Sequence, residues 1–218
     1  MKLARKYYGH WKHGSYALDV TTDPQQTNEK VVDLPWKAQT LPILSIGYHG
    51  PAFSDSQIDM PAIDLFSQVL FSQTSELFRK LVIEEQAVEF VQGGEQDSRD
   101  PGLFQIITRI KDPKNVDHVR DEIYAAIEKA KTTPVAAQQL SDIKSFLKYG
   151  YATGLDNADA IARSIAHYVQ VAGDPESVNR VYALYDRVTP DDIMMVANKY
   201  FSPTNRTVVL LTMEGDKQ

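Results

Sequence analysis

The side chains that could bind a metal or move a proton are few in this sequence, and they are dispersed along it. The five histidines are His10, His13, His49, His118 and His167. None belongs to H-E-x-x-H or H-x-x-E-H, the spacings that place two imidazoles and a carboxylate on one helix face. His10 and His13 form H-x-x-H, but zinc requires at least a third protein ligand. The sequence therefore predicts two exposed histidines at this place and no metal site.

The remaining candidates for acid–base chemistry are carboxylates. Asp55 and Asp59 lie near His49 in the sequence, but they are more typical of a turn residue and of a negative charge in the first turn of a helix. Glu84 and Glu85 are adjacent, and adjacent helical residues do not face each other, so they are not expected to share a proton. The sequence therefore predicts no catalytic, cofactor-binding or metal-binding residue.

Composition excludes further classes of function. The chain has 218 residues, of which 43% are hydrophobic and 24% charged, and its net charge of −6 gives no electrostatic reason to bind nucleic acid or an anionic membrane. It contains no cysteine, which excludes disulfides, thiolate nucleophiles and cysteine-ligated metals. No G-x-S-x-G, P-loop or dinucleotide-binding glycine pattern occurs, and no apolar run is long enough to predict membrane insertion.

The beginning of the chain reads as two short segments before a compact domain. Leu3, Tyr7 and Trp11 are four residues apart, which predicts a helical stub over residues 3–11. Residues 15–40 are polar and irregular, which is typical of a linker. We therefore expect three parts: residues 1–14, the tail of an upstream element; residues 15–40, a linker; and residues 41–218, a folded domain.

Strands and helices are partly segregated within the expected domain. The alternation over residues 43–48 predicts a strand, the turn-rich segment between residues 87–92 and 103–110 favours an antiparallel pair, and the apolar run over 207–212 predicts a buried central strand. Helical spacing predicts helices over residues 58–70, 77–82, 119–130, 159–171 and 178–185. Pro134 is interpreted as the start of another helix, and Thr189-Pro190 as the capped start of the last. The order predicts a two-layer α+β domain, with an antiparallel sheet covered on one face by helices.

Several strings of residues, in this order, resemble the second domain of the pitrilysin/insulinase zinc-peptidase family. The resemblance spans almost the whole chain. The strings are residues 6–11 (KYYGHW), 46–51 (IGYHGP), 75–82 (SELFRKLV), 147–149 (LKY), 154–156 (GLD), 188–193 (VTPDDI), 196–201 (VANKYF) and 205–211 (NRTVVLL).

The resemblance implies a pitrilysin-like or mitochondrial-processing-peptidase-like sheet backed by helices, without the zinc site. It also implies that residues 1–14 are the remnant of the helix that closes the preceding domain and that residues 15–40 are the interdomain linker. In the family the first domain carries H-x-x-E-H and a later glutamate, so zinc is expected in a domain outside this sequence. In many members the non-catalytic half supplies an arginine and a tyrosine to the substrate. The matching positions here are Val82 and Glu89, so no substrate-binding residue is transferred.

The resemblance implies a non-catalytic C-terminal domain of a zinc metalloendopeptidase, inactive alone, which forms part of a chamber around a peptide substrate. The expected partners are a sister domain, the second half of the peptidase and the peptide. A homodimer of the isolated domain and a location in the bacterial cell envelope or periplasm are further expectations. Two alternatives stay open: a structural or peptide-binding subunit of a non-catalytic homologue, and a free-standing ligand-binding α+β domain.

Overall fold

One mixed sheet organises the protein. The structure, a computed structural model, describes residues 1–12, 14, 21 and 24–214. Within these residues the sheet has the strand order β1-β5-β2-β4-β3. Neighbouring strands run antiparallel except β1 and β5, which are parallel. The strands are Lys30–Trp36 (β1), Ile43–His49 (β2), Val88–Gly94 (β3), Leu103–Ile110 (β4) and Arg206–Met213 (β5).

The helices fill the intervals before and between the strands, mostly between β4 and β5. Their order confirms the α+β class predicted from the sequence. The α-helices are Lys2–Tyr8 (α1), Asp59–Phe71 (α2), Glu76–Phe78 (α3), Val116–Thr132 (α4), Ala137–Gly154 (α5), Ala158–Ala172 (α6), Ser177–Arg187 (α7) and Pro190–Tyr200 (α8); a π-helical segment, Arg79–Glu84, continues α3.

Strand alternation decides which sheet face the helices cover. In β2, Leu44, Ile46 and Tyr48 are buried and the residues between them are half exposed, as their alternation predicts. In β4 the even-numbered residues from Phe104 to Ile110 are buried in the same way. Successive side chains of a strand point to opposite faces. One face therefore packs beneath the helices, and the other remains partly open.

Aromatic rings form the centre of the core between sheet and helices. The ring of Phe201, after α8, lies 4.3 Å from that of Phe66 in α2 and 4.9 Å from those of Tyr48 and Phe104, all centroid to centroid. Offset and edge-on packing at these distances adds to the stabilisation from burial. Helices α2 and α8 are thereby held on the sheet.

The start of α8 agrees with its sequence signal. Thr189 Oγ1 accepts from the backbone N of Asp192 at 3.3 Å, and the backbone N of Thr189 donates to Asp192 Oδ2 at 2.8 Å. Pro190 occupies the first turn, where its missing N–H needs no partner. This reciprocal capping box fixes the helix start one residue after the threonine.

Four sequence-based expectations need correction. Residues 15–40 are not irregular throughout, because Lys30–Trp36 forms β1. The sheet, predicted to be antiparallel, is mixed because β1 pairs with β5 in parallel. The helix expected at Pro134 begins only at Ala137. Strand β5 does lie inside the sheet, but only Val208 of its residues is buried, because the second sheet face is partly open.

Candidate functional site

Asp55 and Asp59, which the sequence suggested as candidates for acid–base chemistry, each bind a different set of side chains. Asp55 accepts from Arg180 at 2.6 Å. Asp59 accepts from Lys199 Nζ at 2.6 Å and from the Tyr200 hydroxyl at 2.5 Å. Burial opposes ionisation of Asp59, but these two donors outweigh it and lower the pKa of the carboxyl. Asp55 and Asp59 therefore tie α2 and the loop before it to α7 and α8.

The histidines are likewise distributed over the molecule. His118 Nε2 lies 2.8 Å from Glu85 Oε2, and His167 Nε2 lies 3.0 Å from Asp97 Oδ2. His49 ends β2 on the partly open sheet face, and His10 follows α1 in an exposed position, whereas His13 is outside the described residues.

A zinc site would need three or more ligating side chains at one place. Among residues 1–12, 14, 21 and 24–214, no three His, Asp or Glu side chains are arranged to hold a metal ion. The donor sets present in the described residues therefore do not fit the family's zinc.

The neighbouring carboxylates Glu84 and Glu85 point to different partners. Glu84 pairs with Arg79 at 3.2 Å, whereas Glu85 lies 2.8 Å from His118 and 3.9 Å from Lys80. The two carboxylates therefore do not contact each other. Both ion pairs lie at the end of the π-helical segment Arg79–Glu84 and stabilise its surface.

The two positions that match the family's arginine and tyrosine take no comparable role. Val82 is partly buried and packs against the core. Glu89 is exposed and accepts from Arg109 Nη1 on β4 at 3.3 Å. The side chains at both positions thus serve packing and a surface ion pair.

A groove lies beside β3, the last strand of the described sheet. We call it the β3 groove. It has a volume of about 800 Å³ and lies between β3, the C-terminal end of α2, α3 and α5. Sequence inspection missed it because its walls come together only in the folded chain. Its lining residues are Gln68, Phe71, Ser72, Gln73, Thr74, Phe78, Glu89, Phe90, Val91, Gln92, Asp142, Ile143 and Phe146.

Strand β3 is the last strand of the described sheet, so one of its edges has no strand partner. Thr108 on β4 donates its hydroxyl to the carbonyl of Phe90 at 2.7 Å, which places that carbonyl on the β4 side. Backbone groups of successive strand residues point to opposite sides. The N–H and C=O of Val91 therefore point away from β4, towards the free edge.

Helix α2 closes one end of that edge. Ser67 of α2 donates to the carbonyl of Gly93 at 2.5 Å. A Cβ at Gly93 would lie 2.4 Å from a ring carbon of Phe71, so only glycine allows the helix to approach this closely. The β-bulge between Val88 and Phe90 lies towards the other end and increases the local twist.

The walls of the β3 groove are mainly apolar and aromatic. Phe146 on α5 stands at its rim with 70% of its surface exposed. The two carboxylates in the lining are already engaged, Glu89 with Arg109 and Asp142 with Gln138 Nε2 at 2.8 Å. Such a groove beside a free strand edge can accept an extended peptide as an added strand.

No helix in the described part of the chain is both long and apolar enough to cross a membrane.

Comparison with known proteins agrees with this architecture. A family model, the peptidase M16 inactive domain, matches residues 1–147, which is more than half of the chain. The zinc protease PqqE of Helicobacter pylori is 24% identical over 190 residues, which cover 87% of this chain and 42% of PqqE. The chain thus spans less than half the length of this curated relative.

Solved structures share the fold. A protease from Helicobacter pylori superposes with a TM-score of 0.85 at 24% identity, over 97% of this chain and 51% of that chain. The periplasmic protease PqqL from Escherichia coli superposes with a TM-score of 0.73 at 15% identity, over 98% of this chain and 24% of that chain. The chain therefore belongs to the peptidase M16 family, the pitrilysin/insulinase-like family that its sequence resembles, and is the inactive, non-catalytic domain of that family.

Proposed function

We propose that this domain is the C-terminal domain of a zinc metalloendopeptidase and that it holds an extended stretch of substrate along β3 inside the enzyme's chamber. The observation that carries the proposal is the free edge of β3 beside the β3 groove. A peptide added to that edge would find backbone partners at Val91 and apolar contacts at Phe146 on α5. Backbone pairing gives affinity for any extended sequence, and the groove selects among side chains.

In this proposal the domain contributes binding and enclosure, and the bond-breaking step belongs to a sister domain. A peptide that is already oriented loses less entropy on reaching the transition state, and enclosing the peptide removes competing water. Zinc, held by the sister domain, would activate the water that attacks the peptide bond. The match to the family's inactive domain is consistent both with a sister-domain partner and with a segment that holds no zinc.

Peptide binding can be tested with one charge substitution and a matched control. Phe146→Asp puts a carboxylate on the groove wall, whereas Tyr149→Asp puts one on the same helix, outside the groove lining. Both side chains are strongly exposed, at 70% and 73%, so neither change should disturb the fold. Binding of fluorescein-labelled unfolded β-casein fragments, followed by anisotropy, should weaken about tenfold for Phe146→Asp, since an apolar contact worth about 1.5 kcal/mol is lost.

The control defines the refutation. Tyr149→Asp should bind the same fragments as tightly as the unchanged protein. Equal weakening in both variants, or no binding by the unchanged protein, would exclude the β3 groove as the peptide site. Circular dichroism of both variants checks that the helices are retained.

The expected inertness of the isolated domain has its own assay. The 218-residue chain is incubated with zinc and quenched fluorescent peptides, with and without a chelator. We expect no turnover in either condition. Cleavage that requires zinc and stops with the chelator would contradict the proposal.

We extend the proposal to self-association and location. Val31, Leu34 and Trp36 of β1 are 65%, 45% and 54% exposed, so two copies of the isolated domain can bury apolar surface by joining these strands. Size-exclusion chromatography at falling concentration should then show a dimer that dissociates; a strict monomer would refute the proposed self-association.

A periplasmic location is supported by the similarity to PqqL, which is described as periplasmic. Fractionation of the cells that make the protein would test this location.

A further inference from the structure

Glu95, in the connection between β3 and β4, has a carboxylate that is unusually isolated. Both of its oxygens are inaccessible to solvent, and neither has a hydrogen-bond partner among the described residues. A Cβ at Gly50 would lie 2.2 Å from Oε1, and one at Gly102 would lie 3.3 Å from it. The carboxylate therefore occupies space that two glycines leave open. An ionised carboxylate buried without a partner is strongly unfavourable.

The acidic groups that face Glu95 increase this cost. Asp64 reaches it from α2, and Asp97 from its own loop. Burial first, then the charges of these two aspartates, raise the pKa of Glu95 to about 7. Asp64 is partly buried, and burial raises its pKa to about 6 although the Tyr185 hydroxyl donates to it. Glu95 and Asp64 form what we call the acidic pair.

The groups that face the acidic pair from the helices come from α6 and α7. From α6, His167 contacts Asp97 at 3.0 Å and the ring of Tyr168 lies beside it. From α7, Tyr182 and Tyr185 present their hydroxyls. Burial is the main cause that raises the pKa of all three tyrosines, so they remain neutral donors near neutral pH.

No arginine among the described residues neutralises the pair. Arg99 donates to the carbonyl of Gln170 at 2.8 Å, and Arg180 is shared between Asp55 and Asp174 at 2.6 and 2.7 Å. Arg99 thus connects the loop between β3 and β4 to α6, and Arg180 connects α7 to the loop before α2.

Helices α6 and α7 form a hairpin that has little apolar attachment to the sheet. Tyr168 is the only buried residue of α6, and α7 buries Ser177, Val181 and Leu184. Elements with few buried apolar contacts open locally at lower free energy than the core. Polar contacts therefore decide how firmly this hairpin is attached.

We propose that the α6–α7 hairpin is a pH-controlled flap, which stays docked while Glu95 and Asp64 carry their protons and loosens when they lose them. An acid whose pKa is raised in the docked state contributes stability that is complete below its pKa in water and is lost as pH rises through the raised value. For Glu95 the window extends from about 4.5 to about 7. The hairpin should therefore be docked in acid and looser in mild alkali.

Hydrogen–deuterium exchange of the 218-residue chain tests this, with rates corrected for the pH dependence of chemical exchange. Between pH 5.5 and 8.5 the opening of α6 and α7 should increase about tenfold. This is less than the full linkage value of about thirty for Glu95, because Gly50 and Gly102, which also cover its carboxylate, stay in place when the hairpin opens. Strands β2 and β4 should keep their protection. Glu95→Gln, which cannot ionise, should remove most of the increase.

Two further variants make the test decisive. Asp64→Asn should reduce the same increase, because the asparagine cannot ionise. Its amide oxygen can still accept from the Tyr185 hydroxyl, so this variant replaces Glu95→Gln as the test if Glu95→Gln does not fold. Glu84→Gln removes an exposed carboxylate that pairs with Arg79 far from the hairpin, so it should retain the full response. An unchanged increase in Glu95→Gln and Asp64→Asn, a flat profile in the original protein, or an equal change in β2 and β4 would overturn the proposal.

Discussion

Replacing Gly93 by alanine should disturb the contact between β3 and α2 that closes one end of the β3 groove. The added methyl would lie 2.4 Å from Cδ2 of Phe71 and 2.8 Å from Cε2 and Cγ of the same ring. Real Cβ contacts are longer than this, so the ring must move. It has little room, since Phe71 is only 6% exposed and packs near Phe104, with ring centroids 6.1 Å apart.

The size of the effect follows from two opposing contributions. Overpacking a well-packed core costs about 1–3 kcal/mol. Gly→Ala also restricts the unfolded chain, which stabilises the folded protein by about 0.4–1 kcal/mol where the backbone tolerates alanine. The backbone tolerates it here, because Gly93 has no positive φ. We therefore expect a net loss of about 1–2 kcal/mol, which corresponds to a Tm about 4 °C lower for a domain of this size.

Urea unfolding followed by circular dichroism measures the difference, and the next residue supplies the control. A methyl at Gly94 would have Ser67 Oγ at 3.8 Å as its nearest neighbour, an ordinary contact. Gly94→Ala should therefore be neutral or slightly stabilising. Adding Phe71→Leu to Gly93→Ala should cost less than Phe71→Leu costs alone. Equal stability of the two alanine variants, or simple additivity with Phe71→Leu, would refute the steric explanation.

Two further stability predictions concern the start of α8 and the aromatic core. Thr189→Ala removes the capping box with Asp192 and should lower the free energy of unfolding by about 1 kcal/mol, whereas Thr153→Ala, on an exposed helix surface, should change it by less than about 0.5 kcal/mol. Phe201→Ala should cost about 3–5 kcal/mol, and Phe146→Ala, at an exposed site, less than about 0.5 kcal/mol. Both are measured by denaturant unfolding, and equal losses within either pair would contradict these assignments.

Local signals in the sequence sufficed where one residue pattern decides the structure. The alternation of Leu44, Ile46 and Tyr48 predicted β2 and its buried face. The Thr189-Pro190 signal predicted the start of α8, because capping involves only residues within one turn. Such elements are determined by neighbours along the chain, so they can be predicted without the fold.

Strand β1 escaped prediction because its surroundings remove the usual signal. All seven residues from Lys30 to Trp36 are exposed, so burial imposes no alternation on them. Pro35 argues against a strand in sequence, but an edge strand tolerates it because one side needs no ladder donor. The partner, β5, is distant in sequence, and no local pattern reveals that pairing.

The candidate sites depend even more on long-range packing. The β3 groove needs α5 beside a strand edge, and the isolation of Glu95 needs Gly50 and Gly102 to meet around it. Gly50 is distant from Glu95 in sequence, and two glycines and a glutamate suggest nothing by themselves. Burial and missing partners, which define both sites, exist only after folding.

The position of β5 between β1 and β2 has a consequence for synthesis on the ribosome. Val31 pairs with Val208 and Ile46 pairs with the same residue from the other side, so the sheet cannot be completed until the strand after α8 has emerged. Strands β2, β4 and β3 can associate earlier, which leaves one edge of β2 open while the intervening helices are still being made. Long-range pairings of this kind slow folding, and an open edge invites association between nascent chains. During translation, chaperones should therefore be needed most just before β5 appears.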